Sequence, residues 1–181
     1  MRQRLFGGAI ELELPDGMFS ASSLRQIPDH QEVFLHQSFV NTSLILEILE
    51  GMSVGTDLMT AGMTHWEDLA ADNDALGSEL EETSFETGTL ICSTYQFHWI
   101  SFCGRQRVPK FGKDEDAQEV CIWMAVIRAT DFDADLVLTL NSLDAEFSKE
   151  GGEVFHGALK SLQIKDFGLF IQANSSFDEK K

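Results

Sequence analysis

Residues 119–129 constrain this chain more than any other segment. Val120, Ile122, Met124 and Val126 share one parity, and Cys121, Trp123, Ala125 and Ile127 share the other. Successive side chains of a strand point to opposite faces, so a strand that is apolar on both parities is covered on both faces. The connection at 130–133 is tight, so the apolar run that follows, 134–140, pairs antiparallel with the first. A sheet covered on both faces needs a layer on each side. The chain can supply them: its 181 residues are 43% hydrophobic and include 14 Phe, which argues for a folded domain with a sizeable core.

The remaining segments predict an α/β protein, a three-layer sandwich with a largely antiparallel sheet of about six strands and helices on both faces. Residues 5–14 read as a hairpin turning on Gly7-Gly8, with Ile10, Leu12 and Leu14 alternating. Residues 21–25 suit one helical turn capped by Ser20 or Ser22, and 32–36 suit a strand. Asn41-Thr42-Ser43 offers N-caps for a helix over 44–50, which Gly51 would stop. Residues 52–63 read as a flexible loop, 65–72 as a short helix, 88–102 as a long or bent strand, and 105–118 as a charged connection. A helix is expected over 150–162, and a strand or coil over 164–170. Residues 1–173 read as one domain without internal repeats, followed by a frayed polar tail over 174–181.

The formal charge is −17, which disfavours nucleic acid and anionic membrane surfaces as partners and favours a basic protein, or simply solubility. No apolar run reaches the roughly 18 residues of a membrane helix, and no apolar stretch suits a secretory signal; the expectation is a soluble intracellular chain. Cys92, Cys103 and Cys121 show no zinc or disulfide spacing and are expected as buried thiols. No G-x-G-x-x-G, P-loop, H-E-x-x-H or G-x-S-x-G is present, so no catalytic residue, metal or cofactor is expected. His98 and Cys103 lie an odd number of residues apart on one predicted strand and point to opposite faces, so they are not a nucleophile–base pair. Glu67 and Asp68 suit the first turn of the helix at 65–72, where the dipole favours anions, with Trp66 as a packing anchor.

Two acidic segments remain. In the helix expected over 44–50, Leu44, Ile45, Ile48 and Leu49 share one face, and Glu47 and Glu50 project from the opposite one. Glu50 would oppose the dipole in the last turn, a cost of roughly 0.3–1 kcal/mol that a binding residue can carry. Asp29 and Glu32 flank the proline-fixed entry to the strand at 32–36 and could join the same surface. Either pair could equally be turn chemistry and a solvated face. A rival reading places a small-molecule or hydrolytic pocket near His98, Trp99 and Trp123, with the 52–64 loop as a lid.

The order of these segments resembles the Mog family of Ran-binding proteins, also called Ran guanine nucleotide release factors. Leu5-Phe6-Gly7-Gly8-Ala9 is similar to its L-(F/Y)-G-G-A start, and Leu24-Arg25-Gln26-Ile27-Pro28-Asp29-His30-Gln31-Glu32-Val33-Phe34 to its L-R-x-(V/I)-P-D-x-Q-E-V-(F/Y) stretch. Residues 43–50 resemble its S-(I/L)-I-V-(D/E)-L-L-E segment, with Glu47 where some relatives have Asp. His65-Trp66-Glu67-Asp68 resembles its H-(F/V)-E-D, and 127–138 its R-L-x-x-(F/Y)-x-T-D-(L/V) hairpin, with Ala134 in place of a usual Thr. The loops at 52–64 and 105–118 and the tail after Leu162 match poorly. The resemblance implies a PsbP-like sandwich acting in nuclear protein import, in nucleus and cytoplasm; a monomer is the separate expectation. It implies no catalysis, but binding of Ran through an acidic surface and release of Ran's nucleotide. The binding residues it carries over are Asp29, Gln31, Glu32, Glu47 and Glu50.

Overall fold

The structure, a computed structural model, describes residues 1–110 and 113–170. In chain order its elements are β1 (Arg2–Leu5), β2 (Ile10–Glu13), β3 (Met18–Ser20), β4 (Gln31–His36), β5 (Thr42–Glu50), α1 (Leu58–Asp72), β6 (Gly77–Leu80), β7 (Glu86–Cys92), β8 (Tyr95–Lys110), β9 (Lys113–Ala129), β10 (Ala134–Ser142), α2 (Gly151–Ser161) and β11 (Gln163–Ile164). The main sheet runs β3-β4-β5-β10-β9-β8, with β6 and β7 both paired to the far side of β8; all these pairings are antiparallel. It therefore has eight strands rather than about six. A separate three-stranded sheet, β1-β2-β11, sits beside α2.

The doubly apolar strand is where its pattern requires. Met124, Val126 and Ile122 pack with Ile100, Phe102 and Trp66 beneath α1. Trp123, Ala125 and Ile127 pack on the other face with Leu12, Phe155 and Leu159, under α2 and the small sheet. Each of the larger aliphatic and Phe side chains so buried contributes about 1.5–3 kcal/mol relative to exposure. The tight connection holds too: β9 and β10 pair antiparallel, Ala129 facing Ala134. The glycine hairpin of β1 and β2, the turn at Ala21–Ser23 with Ser20 accepting from the Ser22 amide, and α2 also agree with expectation. No helix among the described residues is long and apolar enough to cross a membrane. The polar tail expected over 174–181 lies outside the described residues.

Four expectations are corrected. Residues 44–50 form part of β5, not a helix: Leu44, Leu46 and Ile48 are buried on one parity while Ser43, Ile45, Glu47 and Leu49 occupy the other. The run is compatible with both periods, but it is shorter than most helices, carries Ile45 and Ile48, and is flanked by β4 and β10. The dipole argument for Glu50 lapses with that helix. The presumed loop at 52–63 is half helix, because Asp57 caps α1: its Oδ1 accepts from the Thr60 amide at 2.9 Å. Gly62 sits inside α1 because a Cβ there would meet Ile100 and Phe102 at 3.0 Å. Residues 88–102 are two strands joined at Ser93-Thr94, with Ser93 at φ 57, a turn lacking the usual Asn-Gly or Asp-Gly signal. The charged 105–118 connection largely continues β8 and β9 as a ribbon beyond the core, where Arg105 lies 3.7 Å from Glu119.

Candidate functional site

The acidic residues cluster at one end of β4 and β5. Pro28–Gln31 is a turn closed by the Gln31 amide on the Pro28 carbonyl, 3.0 Å, and it leads into β4. Gln31 faces Glu47 in the ladder, and its Nε2 donates to Glu47 Oε1 at 2.7 Å. His30 Nε2 lies 3.3 Å from the same oxygen. The Ile48 amide donates to the His30 carbonyl at 2.9 Å, which holds the turn carrying exposed Asp29 beside the Ile48–Glu50 end of β5.

Strand alternation then divides the expected surface. Gln31 and Glu47 face the α1 side. Glu32, one residue on, faces the other way, and its Oε1 accepts from the Phe6 amide, 2.6 Å, bracing the N-terminal hairpin. Glu50 has the opposite parity to Glu47 and is exposed at the end of its strand. The outward helical face that was to present Glu47 and Glu50 together does not exist. Gln31, His30 and Glu47 are brought together directly; Asp29 and Glu50 share the strand end; Glu32 belongs to the other face.

Two acids not expected at this surface from the sequence join Glu47. A cleft of about 470 Å³ opens between α1 and the sheet, with Ile45, Leu49, Ile122 and Met124 among its lining and Glu47, Asp68 and Asp72 among its polar groups. Glu67 and Asp68 are therefore in the second half of α1 rather than its first turn. Asp68 and Asp72 are spaced i, i+4 and so share a helix face. That signal is visible once the helix is known to start at Leu58.

A buried ionic cluster lies behind this surface. Asp135 is fully buried; its Oδ1 accepts from Arg128 Nε at 2.7 Å, and its Oδ2 lies 2.9 Å from His65 Nε2. The remaining guanidinium nitrogens donate to the carbonyls of Thr56 at 3.0 Å and Met52 at 2.9 Å. Residues 52–56, which follow Glu50, are thus tied to the sheet. Gly51 permits the approach: its amide donates to the Asp133 carbonyl at 2.7 Å, and a Cβ would lie 2.6 Å from the Asp133 carbonyl carbon.

Residues 3–143 match the family described as Ran-interacting Mog1 protein. The chain belongs to that family. Among its Mog1 relatives, the Ran guanine nucleotide release factor of Danio rerio is 32% identical, covering 94% of this chain and 100% of that protein. The nuclear import protein mog1 of Schizosaccharomyces pombe is 37% identical over 77% of this chain and 75% of its own. The solved structure of the Saccharomyces cerevisiae Ran-binding protein Mog1p superposes with a TM-score of 0.73 at 27% identity, covering 94% of this chain and 97% of that one. Cyanobacterial PsbP from Synechocystis shares the fold, with a TM-score of 0.61 at 13% identity, covering 91% and 92%.

The Mog1-like motif residues sort by role in this fold. His65 and Arg128 are buried partners of Asp135, and Trp66 is core, edge-on to Phe102 at 5.9 Å between centroids. Of the rival pocket's residues, Trp123 lines an open cleft of about 610 Å³, whereas Trp99 is core and His98 is exposed on the face opposite Cys103, with Nδ1 3.1 Å from Thr89 Oγ1. Residues 52–56, the start of the expected 52–64 lid, are held by Arg128, and 58–64 belong to α1.

Proposed function

We propose that this chain binds the GTPase Ran and promotes release of its guanine nucleotide, in support of nuclear protein import. It acts as a regulator rather than a catalyst and works as a monomer in nucleus and cytoplasm. The supporting observation is the acidic strand end: Gln31 and Glu47 line a cleft that also carries Asp68 and Asp72, and Asp29 and Glu50 are exposed at the same end of the sheet, in a chain of net charge −17 from a Ran-interacting family. Glu32 contributes by bracing the chain on the reverse face. Release requires that the partner bind nucleotide-free Ran more tightly than loaded Ran. Carboxylates are suited to this, because they pair with Lys or Arg groups that otherwise hold phosphate and compete for a magnesium site.

Charge reversal tests the surface. Glu47→Lys and Glu50→Lys should each weaken binding to Ran in calorimetric titration by at least about tenfold, ~1.4 kcal/mol, with the circular dichroism spectrum unchanged. Unchanged affinity in both would remove the strand end from the interface.

A further inference from the structure

Cys103 and Cys121 were expected to be inert buried thiols. Only Cys92 is buried; the other two are half-exposed. In the β8–β9 ladder Cys103 faces Trp123 and Arg105 faces Cys121, so the cysteines are diagonal neighbours on one face of the sheet. Their Sγ atoms are 3.9 Å apart. Both line an open cleft of about 610 Å³ that also carries Arg105, Ser148, Lys149 and His156, so small solutes can reach them. Cys103 is held in place at its backbone: its amide donates to Ser84 Oγ at 2.8 Å.

We propose that Cys103 and Cys121 are a redox-responsive dithiol, which low-molecular-weight disulfides convert to a disulfide bridging β8 and β9. The two thiols are chemically unequal. Hydrogen bonding with Cys103, joined by Ser148 and Arg105, brings Cys121 down to about 7. The same interaction and burial push Cys103 up. Cys121 is then the attacking group and Cys103 the resolving one.

The Cys121 thiolate attacks one sulfur of a small disulfide; a new S–S bond forms, the old one breaks, and one small thiolate leaves. Cys103 loses its proton to that thiolate or to solvent and attacks Cys121 Sγ. The mixed disulfide breaks and the second small thiol departs. The protein is oxidised by two electrons, and the small disulfide is reduced to two thiols. Diagonal cross-strand Cα atoms are about 7–8 Å apart, beyond the roughly 6.8 Å that a disulfide ordinarily spans, so closing the bond draws β8 and β9 together and leaves it strained and reducible. The pair lies on the α2 face, opposite Glu47, so it stands independently of the Ran reading.

The full reduced chain, incubated across a series of glutathione disulfide to glutathione ratios, should lose two hydrogens by intact mass. Its free thiols, titrated after denaturation, should fall from three to one, and peptide mapping should join residue 103 to 121. Dithiothreitol should restore the starting mass. In the C103S variant the reaction should stop at a glutathione adduct on Cys121. On the wild-type chain, phenylarsine oxide should bind in one equivalent and protect both cysteines from alkylation. The proposal is overturned by single adducts with no 103–121 bridge, by a bridge to Cys92, or by failure of the arsenical to bind.

Discussion

At the residue scale, Arg128, Asp135 and His65 decide how the loop after Glu50 is held. A buried ion pair is weak support for stability, but removing one partner strands the other charge at about 3–5 kcal/mol. Arg128 is itself buried, and its other donors are committed to Met52 and Thr56. Asp135→Leu and Arg128→Leu should each lower unfolding free energy by about 3 kcal/mol in urea titrations, whereas the double variant should lose less than the sum of the two. Additive losses would mean that the pair is not energetically coupled. This pair was legible in principle: residues 128 and 135 are equidistant from the turn at 130–133, so an antiparallel register must place them face to face. Periodicity ranks strands by apolar parity and passes over the two charges embedded in them.

At the element scale, β5 shows why a short apolar run resists assignment. Leu44, Ile45, Ile48 and Leu49 satisfy a helical face, and Leu44, Leu46 and Ile48 satisfy a strand face equally well. Tertiary pairing with β4 and β10 decides between them. In contrast, β9 was legible because apolar residues on both parities leave no alternative to burial on both sides. The site suffered more than the fold, since the helical period puts Glu50 on one face with Glu47 and the strand period separates them. Gly51 ends β5 through a backbone approach that no local propensity reveals. Gly51→Ala should cost about 1–3 kcal/mol, because its Cβ would press on the Asp133–Ala134 backbone. It should also shift the amide resonances of Glu50 and Asp133 in NMR spectra. A neutral Gly51→Ala variant would show that the approach has room to spare.

At the scale of the whole molecule, a charge of −17 over a compact sandwich produces a long-range field in addition to the local carboxylates. Binding to Ran should therefore weaken steadily as ionic strength rises from about 0.05 to 0.5 M, mostly through a slower association rate. A salt-independent affinity would assign the interaction to apolar contacts in the cleft beside Glu47 instead. The net charge was plain in the sequence, but its arrangement was not: Asp68 and Asp72 meet Glu47 only through the packing of α1 on the sheet. The most direct test follows release of a fluorescent guanine nucleotide from Ran with this chain added. Wild type should accelerate release, and the Glu47→Lys, Glu50→Lys double variant should leave the intrinsic rate. No acceleration by wild type, or equal acceleration by both proteins, would contradict a release factor acting through this acidic strand end.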